Sequence, residues 1–233
     1  MGNMHFDTHI SQQFNEELEK IKTRMLEMGG TVQKQLEDAV SALENADSEL
    51  AEHVLKVEEQ VDAAEISIDE ACILLIARRQ PAASDLRMVM AVNKTVRDLE
   101  RIGDEAKRIA KMAIMLSEEG SAPRGYVEIR HIANGVRHML DRSLDAFARY
   151  DVESAVATLK ADEQVDLDYK TSLRELVTYM MEDPRSIGRV MSIMWALRAL
   201  ERVGDHSKNI CEQVVYLVNG KDIRHGQLDK MDV

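Results

Sequence analysis

Proline, glycine and aromatic side chains are scarce in this chain. Its 233 residues include three prolines and eleven glycines, and aromatic residues make up 4% of the chain against 45% for all apolar residues. A fold of many short strands would need turn-forming residues far more often, so this scarcity favours long helices. Leu, Val, Ile, Ala and the 14 Met must then fill the core.

Long apolar runs and paired cysteines are also missing. The longest uninterrupted apolar run, ACILLIA at 71–77, is far shorter than the roughly 20 residues that span a membrane. The first residues, MGNMHFDTHISQQF, lack the apolar core of a secretion signal. Cys72 and Cys211 form no CxxC motif, and we expect both to be reduced core thiols. The sequence predicts a soluble cytoplasmic protein that meets membranes only through its partners.

Basic residues are outnumbered by acidic ones. The chain has 30 Lys and Arg against 42 Asp and Glu, which gives a net charge of −12. A general nucleic-acid-binding protein would usually carry a basic surface, so we expect no nucleic-acid partner. Cations and basic patches on other proteins are the partners that this charge favours. Our hypothesis for partner binding is that acidic helical faces meet such basic patches.

Caps, breaks and apolar periodicity predict an all-α fold of six long helices. We expect them at about residues 11–46, 47–79, 84–116, 127–149, 151–181 and 187–218. Asp47 and Asp151 are the expected N-caps of the second and fifth helices, and Ser84 or Asp85 that of the third. The stretch SEEGSAPRGY at 117–126 is the longest polar segment and the expected linker between two halves.

The second half of the sequence repeats the first. EEQVD at 58–62 aligns with DEQVD at 162–166, an offset of 104 that also pairs Asp47 with Asp151 and Leu36 with Leu140. LERIGD at 99–104 recurs as LERVGD at 200–205, an offset of 101. Three antiparallel helices with short turns form a bundle. The sequence therefore predicts a tandem duplication of a three-helix bundle in six antiparallel helices, with domains at 1–120 and 121–233.

Each repeat carries two acidic pairs with a spacing of four residues, which places both carboxylates on one face of a helix. The pairs are Glu58 with Asp62, Glu100 with Asp104, Asp162 with Asp166, and Glu201 with Asp205. The pairs of the second and third helices in each repeat occupy or border the apolar stripe, so we expect them to face one another. Gly103 and Gly204, within the repeated phrase, would allow a neighbouring helix to approach closely.

Carboxylates that face one another repel, by about 3 kcal/mol per pair at about 5.5 Å and an effective dielectric of about 20. Bound cations would offset this repulsion, as would neighbouring arginines, of which the candidates are Arg97, Arg101, Arg198 and Arg202. An all-oxygen set of ligands suits Mg, Mn, Ca or iron, and Asn209 could add a carbonyl oxygen. The alternative is a solvated acidic face that Lys and Arg neutralise without any metal.

Motifs of known enzymes are largely missing from the sequence. Glu128 and His131 form one ExxH match, whereas a di-iron site in a helical bundle needs two such motifs on separate helices. The chain has no P-loop, GxSxG, HExxH or dinucleotide fingerprint. The missing second ExxH motif counts against a carboxylate-bridged metalloenzyme of the helical-bundle type, which stays an alternative. A purely structural helical protein is another alternative.

Four phrases together resemble the PhoU family, the accessory proteins of bacterial phosphate-specific transport. They are THISQQFNEELEKI near the start, RRQPAASDLR before the third helix, DLERIGDEAKRIA at 98–110 and ALERVGDHSKNICE at 199–212. The resemblance implies two pseudo-symmetric three-helix bundles whose E(D)xxxD motifs bind metal clusters. On this chain those motifs are the four acidic pairs, of which the third begins with the shorter ligand Asp162.

The resemblance also implies a regulator rather than an enzyme. Such a protein restrains phosphate uptake and the phosphate-starvation response. It acts as a cytoplasmic adaptor between the ATPase subunit of the phosphate ABC transporter and a membrane sensor histidine kinase. It needs no organic cofactor, its metal ions would be Mg, Mn or Fe, and whether it forms a homodimer stays open.

Overall fold

Six α-helices form the parts of the chain that this computed structural model describes, residues 4–81, 83–118 and 126–223, with side chains from residue 13 in the first helix and residue 127 in the fourth. The helices are α1 (Met4–Asn45), α2 (Ser48–Arg79), α3 (Ala83–Glu118), α4 (Tyr126–Arg149), α5 (Val152–Glu182) and α6 (Ile187–Asn219), with a 3₁₀ turn at Pro184–Ser186 before α6. No strand occurs in these ranges, so the all-α prediction is confirmed.

Two helices begin earlier than the sequence predicts. α1 starts at Met4 rather than near residue 11, and α3 starts at Ala83, so Ser84 and Asp85 lie in its first turn. α1 also runs without a break through Gly29. A Cβ at Gly29 would lie 2.9 Å from Cδ2 of Leu144, so this glycine lets α4 approach α1.

The turn before α2 and the turn before α5 have the same geometry. Ala46 and Tyr150 both adopt the left-handed conformation, with φ of 52° and 59°. The caps Asp47 and Asp151 follow, and each accepts a hydrogen bond of 3.0 Å from the backbone N–H three residues later. These positions are 104 residues apart, so the backbone repeats with the sequence, as the tandem duplication predicts.

The central pair of helices is α3 and α6. α3 packs against α1 and α2, α6 packs against α4 and α5, and the two also pack against each other. They run antiparallel, because Asp98 on α3 contacts Asn209 while Glu105 contacts Arg202, which lies earlier on α6. The two repeats therefore share a core. The boundary predicted at 120 and 121 lies outside the described residues and stays a prediction.

The apolar face of α2 leaves out two of the isoleucines of this helix. Ile66 and Ile73 are 59% and 64% exposed. The buried residues of α2 are Ala51, Val54, Glu58, Val61, Ile68, Cys72 and Leu75. Among the elements that the structure describes, α2 packs against α1 and α3 alone.

Both cysteines lie in the core as free thiols, as predicted. Burial raises the pKa of Cys72 to about 11 and that of Cys211 to about 12. Thiolates are the reactive form of cysteine, so neither side chain is suited to nucleophilic chemistry. No helix in the described ranges is long and apolar enough to cross a membrane.

Candidate functional site

The eight predicted acids lie in two groups, each between two adjacent helices. We call Glu58, Asp62, Glu100 and Asp104, between α2 and α3, the first seam. The second seam consists of Asp162, Asp166, Glu201 and Asp205, between α5 and α6. Within each seam the carboxylates of one helix raise the pKa of acids on the other, so the predicted facing of the pairs is confirmed.

Glu58 lies at the buried end of the first seam and is 2% exposed. Its Oε2 accepts a hydrogen bond of 2.6 Å from Nε2 of Gln35 on α1. A Cβ at Gly103 would lie 3.1 Å from that oxygen, which confirms that this glycine permits a close approach. The other carboxylate oxygen, Oε1, is buried without a hydrogen-bond partner.

Burial is the main reason that the pKa of Glu58 lies above its ordinary value. The hydrogen bond from Gln35 and the charge of Lys107 lower this pKa, whereas the carboxylates of Asp104 and Asp62 raise it. The burial effect exceeds the two opposing effects. Glu58 therefore holds its proton more tightly in the folded chain than in water.

Glu100 has a raised pKa for similar reasons. Burial is the largest cause, and the carboxylate of Asp104 on the same helix is the next. Arg101 opposes the rise, while Glu65 and Asp62 across the seam contribute to it. Glu65 is thus a fifth acid beside this seam. The field around Glu100 is negative enough to favour any cation that enters.

Lys208 lies beside Asp162 in the second seam, with its side chain 41% exposed. Its Nζ donates a hydrogen bond of 2.8 Å to Oδ2 of Asp162, whose residue is 6% exposed. That bond is the main cause of the raised pKa of Lys208. Burial is the largest cause that raises the pKa of Glu201, and the carboxylates of Asp205, Asp166 and Asp162 add to it.

A lysine therefore belongs to each seam, and the sequence analysis missed both. Lys107 interacts with Glu58 and its Nζ lies 3.9 Å from Oδ1 of Asp104. Lys107 and Lys208 are 101 residues apart, the offset of the repeated phrase. This alignment could have identified them. Each lysine carries one positive charge into a group of four acids.

Two of the four candidate arginines pair with seam acids. Nε of Arg101 lies 3.3 Å from Oε2 of Glu100, and Nη1 of Arg198 lies 2.7 Å from Oε1 of Glu201. Arg202 instead pairs with Glu105 of α3.

Asn209 faces away from the second seam. Its Nδ2 donates a hydrogen bond of 2.9 Å to Asp98 of α3, so the expected additional carbonyl ligand points to the contact between α3 and α6. Likewise His131 of the ExxH match pairs with Asp168 at 3.2 Å, between α4 and α5.

The donors in both seams suit a hard cation in type. All eight are carboxylates, and Oε1 of Glu58 and Oε2 of Glu201 are buried without a hydrogen-bond partner, so each seam offers one uncommitted oxygen. Within the described residues, no three His, Cys, Asp or Glu side chains converge in an arrangement that could hold a metal. A cation would require these side chains to turn toward one another, and in the second seam Asp162 would also have to exchange Lys208 for it.

Known proteins resemble this chain over nearly its whole length. The phosphate-specific transport system accessory protein PhoU homolog of Pseudomonas putida is 59% identical over 96% of this chain and 87% of that relative. The accessory protein PhoU of Escherichia coli K12 is 44% identical over 100% of this chain and 96% of its own. The prediction that this chain is not an enzyme agrees with these names, which describe accessory proteins.

The comparisons also match the fold and the two repeats of this chain. The crystal structure of PhoU from Pseudomonas aeruginosa matches with a TM-score of 0.88 at 57% identity and covers 89% of this chain and 100% of that chain. The model of the PhoU domain matches twice, at residues 25–113 and 129–214. These two matches contain all eight seam acids. By its sequence, its duplicated helices and its structural neighbours, this chain belongs to the PhoU family.

Proposed function

We propose that this chain serves a phosphate-specific transport system as an accessory and regulatory protein. The observation that carries the proposal is the match to accessory proteins over 96% and 100% of the chain. That match includes both three-helix repeats, so the similarity to those proteins is not confined to one half of the chain. We further propose that it restrains phosphate uptake and the phosphate-starvation response when phosphate is plentiful.

The proposed mode of action is that of an adaptor. The chain would contact the ATPase subunit of the phosphate ABC transporter and a membrane sensor histidine kinase, from the cytoplasmic side. Two observations support it: the sequence lacks motifs of known enzymes, and the relatives from Pseudomonas putida and Escherichia coli are named accessory proteins. An adaptor needs surfaces rather than a catalytic pocket.

A genetic replacement tests this function. The chain is expressed in a bacterium whose own accessory gene of this family has been deleted, and a phosphate-starvation reporter and phosphate uptake are measured at high phosphate. We expect the reporter to be repressed again and uptake to fall. A folded, well-expressed chain that leaves both unchanged would overturn the proposal. Co-purification of the ATPase subunit and the kinase then tests the adaptor role separately.

We also propose that each seam binds one or more divalent or iron ions. Glu58, Asp62, Glu100 and Asp104 would hold the cation of the first seam. Asp162, Asp166, Glu201 and Asp205 would hold that of the second. A bound cation supplies positive charge that neutralises the carboxylates and links two helices. The uncommitted oxygens of Glu58 and Glu201 are the support for this proposal.

Metal binding predicts a rise in the melting temperature of chelator-stripped protein. A ligand that binds only the folded state stabilises it by about 2.7 kcal/mol at a concentration of about 100 times its Kd. In a chain of this size that corresponds to a rise of about 5–10 °C. We expect Mg, Mn or ferrous ions to produce it, and the Glu201→Ala/Asp205→Ala variant to respond less.

A matched control separates the seam from general charge effects. Glu163→Ala/Glu175→Ala removes two exposed acids of α5 that belong to neither seam. This variant should respond to metal as the natural chain does. Equal responses of all three proteins, or no response in any, would contradict the proposed site.

A further inference from the structure

A groove lies between the N-terminal half of α1 and the C-terminal part of α2, away from both seams. Its volume is about 250 Å³, and its lining includes Glu17, Lys20, Arg24, Leu74, Leu75 and Arg78. Lys20 and Arg24 lie one turn apart on α1, and Leu74 and Arg78 lie one turn apart on α2. The lining covers two helical turns of each helix, about 10 Å.

The groove is basic although the whole chain carries a net charge of −12. Arg79, beside it, is neutralised by Glu17 through hydrogen bonds of 2.8 and 3.3 Å. Arg24 donates to the neutral hydroxyl of Ser67. Lys20 and Arg78 are exposed and form no hydrogen bond or ion pair with any other residue that the structure describes. Lys20, Arg24 and Arg78 therefore have no carboxylate of the described residues within bonding distance, although the charge of Arg78 also acts on Glu17 and lowers its pKa.

Apolar side chains lie among these charges. Leu74 is 49% exposed in the groove, and Ala71, Leu75 and Ile21 complete its apolar floor. Apolar surface of this kind gains free energy when a partner covers it. The groove thus combines an apolar surface with a basic rim.

The second repeat carries the opposite charge at the aligned positions. At the offset of 104, Arg24 aligns with Glu128, Arg78 with Glu182 and Arg79 with Asp183, and Ala71 becomes Glu175. Lys20 differs from them, because it aligns with Arg124 and the positive charge is kept. Because α3 and α6 run antiparallel, the two aligned regions lie at opposite ends of the central helix pair. The basic apolar groove is therefore a property of one repeat and not of the shared bundle design.

We propose that this groove binds an acidic amphipathic segment of a partner protein. The segment spans about two helical turns, places one or two apolar side chains on Leu74 and Ala71, and brings carboxylates to Lys20, Arg24 and Arg78. Charge complementarity favours this partner, because its carboxylates neutralise the three cations while its apolar side chains cover the apolar floor. The proposal does not depend on the phosphate role or on metal.

Fluorescence anisotropy with a labelled peptide tests the groove. The probe is a helical peptide of about 15 residues, long enough to hold a helix in water, with leucines on one face and glutamates beside them. A second peptide carries lysine in place of every glutamate. We expect the acidic peptide alone to bind, and the Lys20→Glu/Arg78→Glu variant to lose about tenfold or more of the affinity.

Two control variants address long-range charge. Lys56→Glu/Lys160→Glu changes the net charge by the same amount at exposed positions that align between the repeats. Glu182→Arg places an arginine in the second repeat at the position that aligns with Arg78. We expect both to bind the acidic peptide within about twofold of the natural chain, and Leu74→Ser to bind it more weakly. Circular dichroism confirms that each variant is folded.

Three binding results would overturn the proposal. They are equal binding of the basic peptide, an equal loss of affinity in Lys56→Glu/Lys160→Glu, and no binding of the acidic peptide at low salt. Tighter binding to vesicles of anionic lipid than to the peptide would assign the groove to a membrane surface instead. Concentration-dependent self-association that Arg78→Glu abolishes would assign it to the acidic end of a second copy.

Discussion

Glu58 shows how one residue links burial, protonation and metal binding. It is enclosed by α1, α2 and α3, and burial raises its pKa. The folded state therefore binds this proton more tightly than the unfolded state. The stability that comes from the proton is complete below the ordinary pKa of a glutamate and is lost as the pH rises through the raised value. Without metal, an ionised Glu58 destabilises the fold at neutral pH.

Glu58→Gln should accordingly stabilise the metal-free protein at neutral pH. The new amide keeps an oxygen that can accept from Gln35 and carries no charge, so the free-energy cost of burying an ionised carboxylate is removed. About 1 kcal/mol moves the melting temperature of a chain of this size by about 2–4 °C. We expect a rise of that order at pH 7 that disappears near pH 4.

Thermal melts of chelator-stripped protein over this pH range measure the effect. Glu59→Gln, the same change at the adjacent exposed position, is the control and should follow the natural chain. A lower melting temperature for Glu58→Gln at pH 7 would show that the ionised carboxylate stabilises the fold. That result would contradict the conclusion that burying the charge of Glu58 is destabilising.

At the scale of helices, the contact between α3 and α6 joins the two repeats through charged groups. Glu105 is 1% exposed. Its Oε1 lies 2.9 Å from Nη1 of Arg108 on the same helix and 3.1 Å from Nε of Arg202 on α6. Asp98 makes a second connection, to Asn209 and His206. These pairs fix the register of the two central helices.

A double-mutant cycle on Glu105 and Arg202 should show that the repeats are coupled. The single variants Glu105→Ala and Arg202→Ala are each expected to destabilise the chain in urea. Their coupling energy should be about 1 kcal/mol, since the carboxylate is buried but Arg202 is partly exposed. The comparison is a second cycle that combines Glu105→Ala with Arg97→Ala, because the charge of Arg97 lowers the pKa of Glu65 on α2. A coupling to Arg202 no larger than that to Arg97 would mean that this pair does not join the repeats.

The helices themselves follow from local chemistry, which explains how much of them the sequence predicts. Asp47 and Asp151 satisfy the first backbone donors of their helices, an effect of nearest neighbours, and both caps are confirmed. The predicted start of α1 near residue 11 lies seven residues after its observed start at Met4, because a residue such as Ser11 can lie within a helix as well as cap one. Ile66 and Ile73 are exposed because burial depends on which sides of α2 its neighbours cover.

At the scale of the whole molecule, the repeat was the most informative part of the sequence. An offset shared by caps, core residues and acidic pairs predicts the duplicated fold and which helices bring carboxylates together. The partners of Asn209 and Arg202 could not be predicted in this way. Their direction is set by how α3 and α6 are rotated against each other, and no periodicity within one helix records that rotation.

The antiparallel packing of α3 on α6 has a consequence for the origin of the chain. Equivalent helices that meet antiparallel about a pseudo-two-fold axis have the geometry of an isologous homodimer. A half-length ancestor with one copy of the repeat would have exposed the apolar face of its third helix until a second copy covered it. In this chain the same pairing is intramolecular, so the two halves need not be identical: one carries Gln35 and the other Met139 at the aligned position.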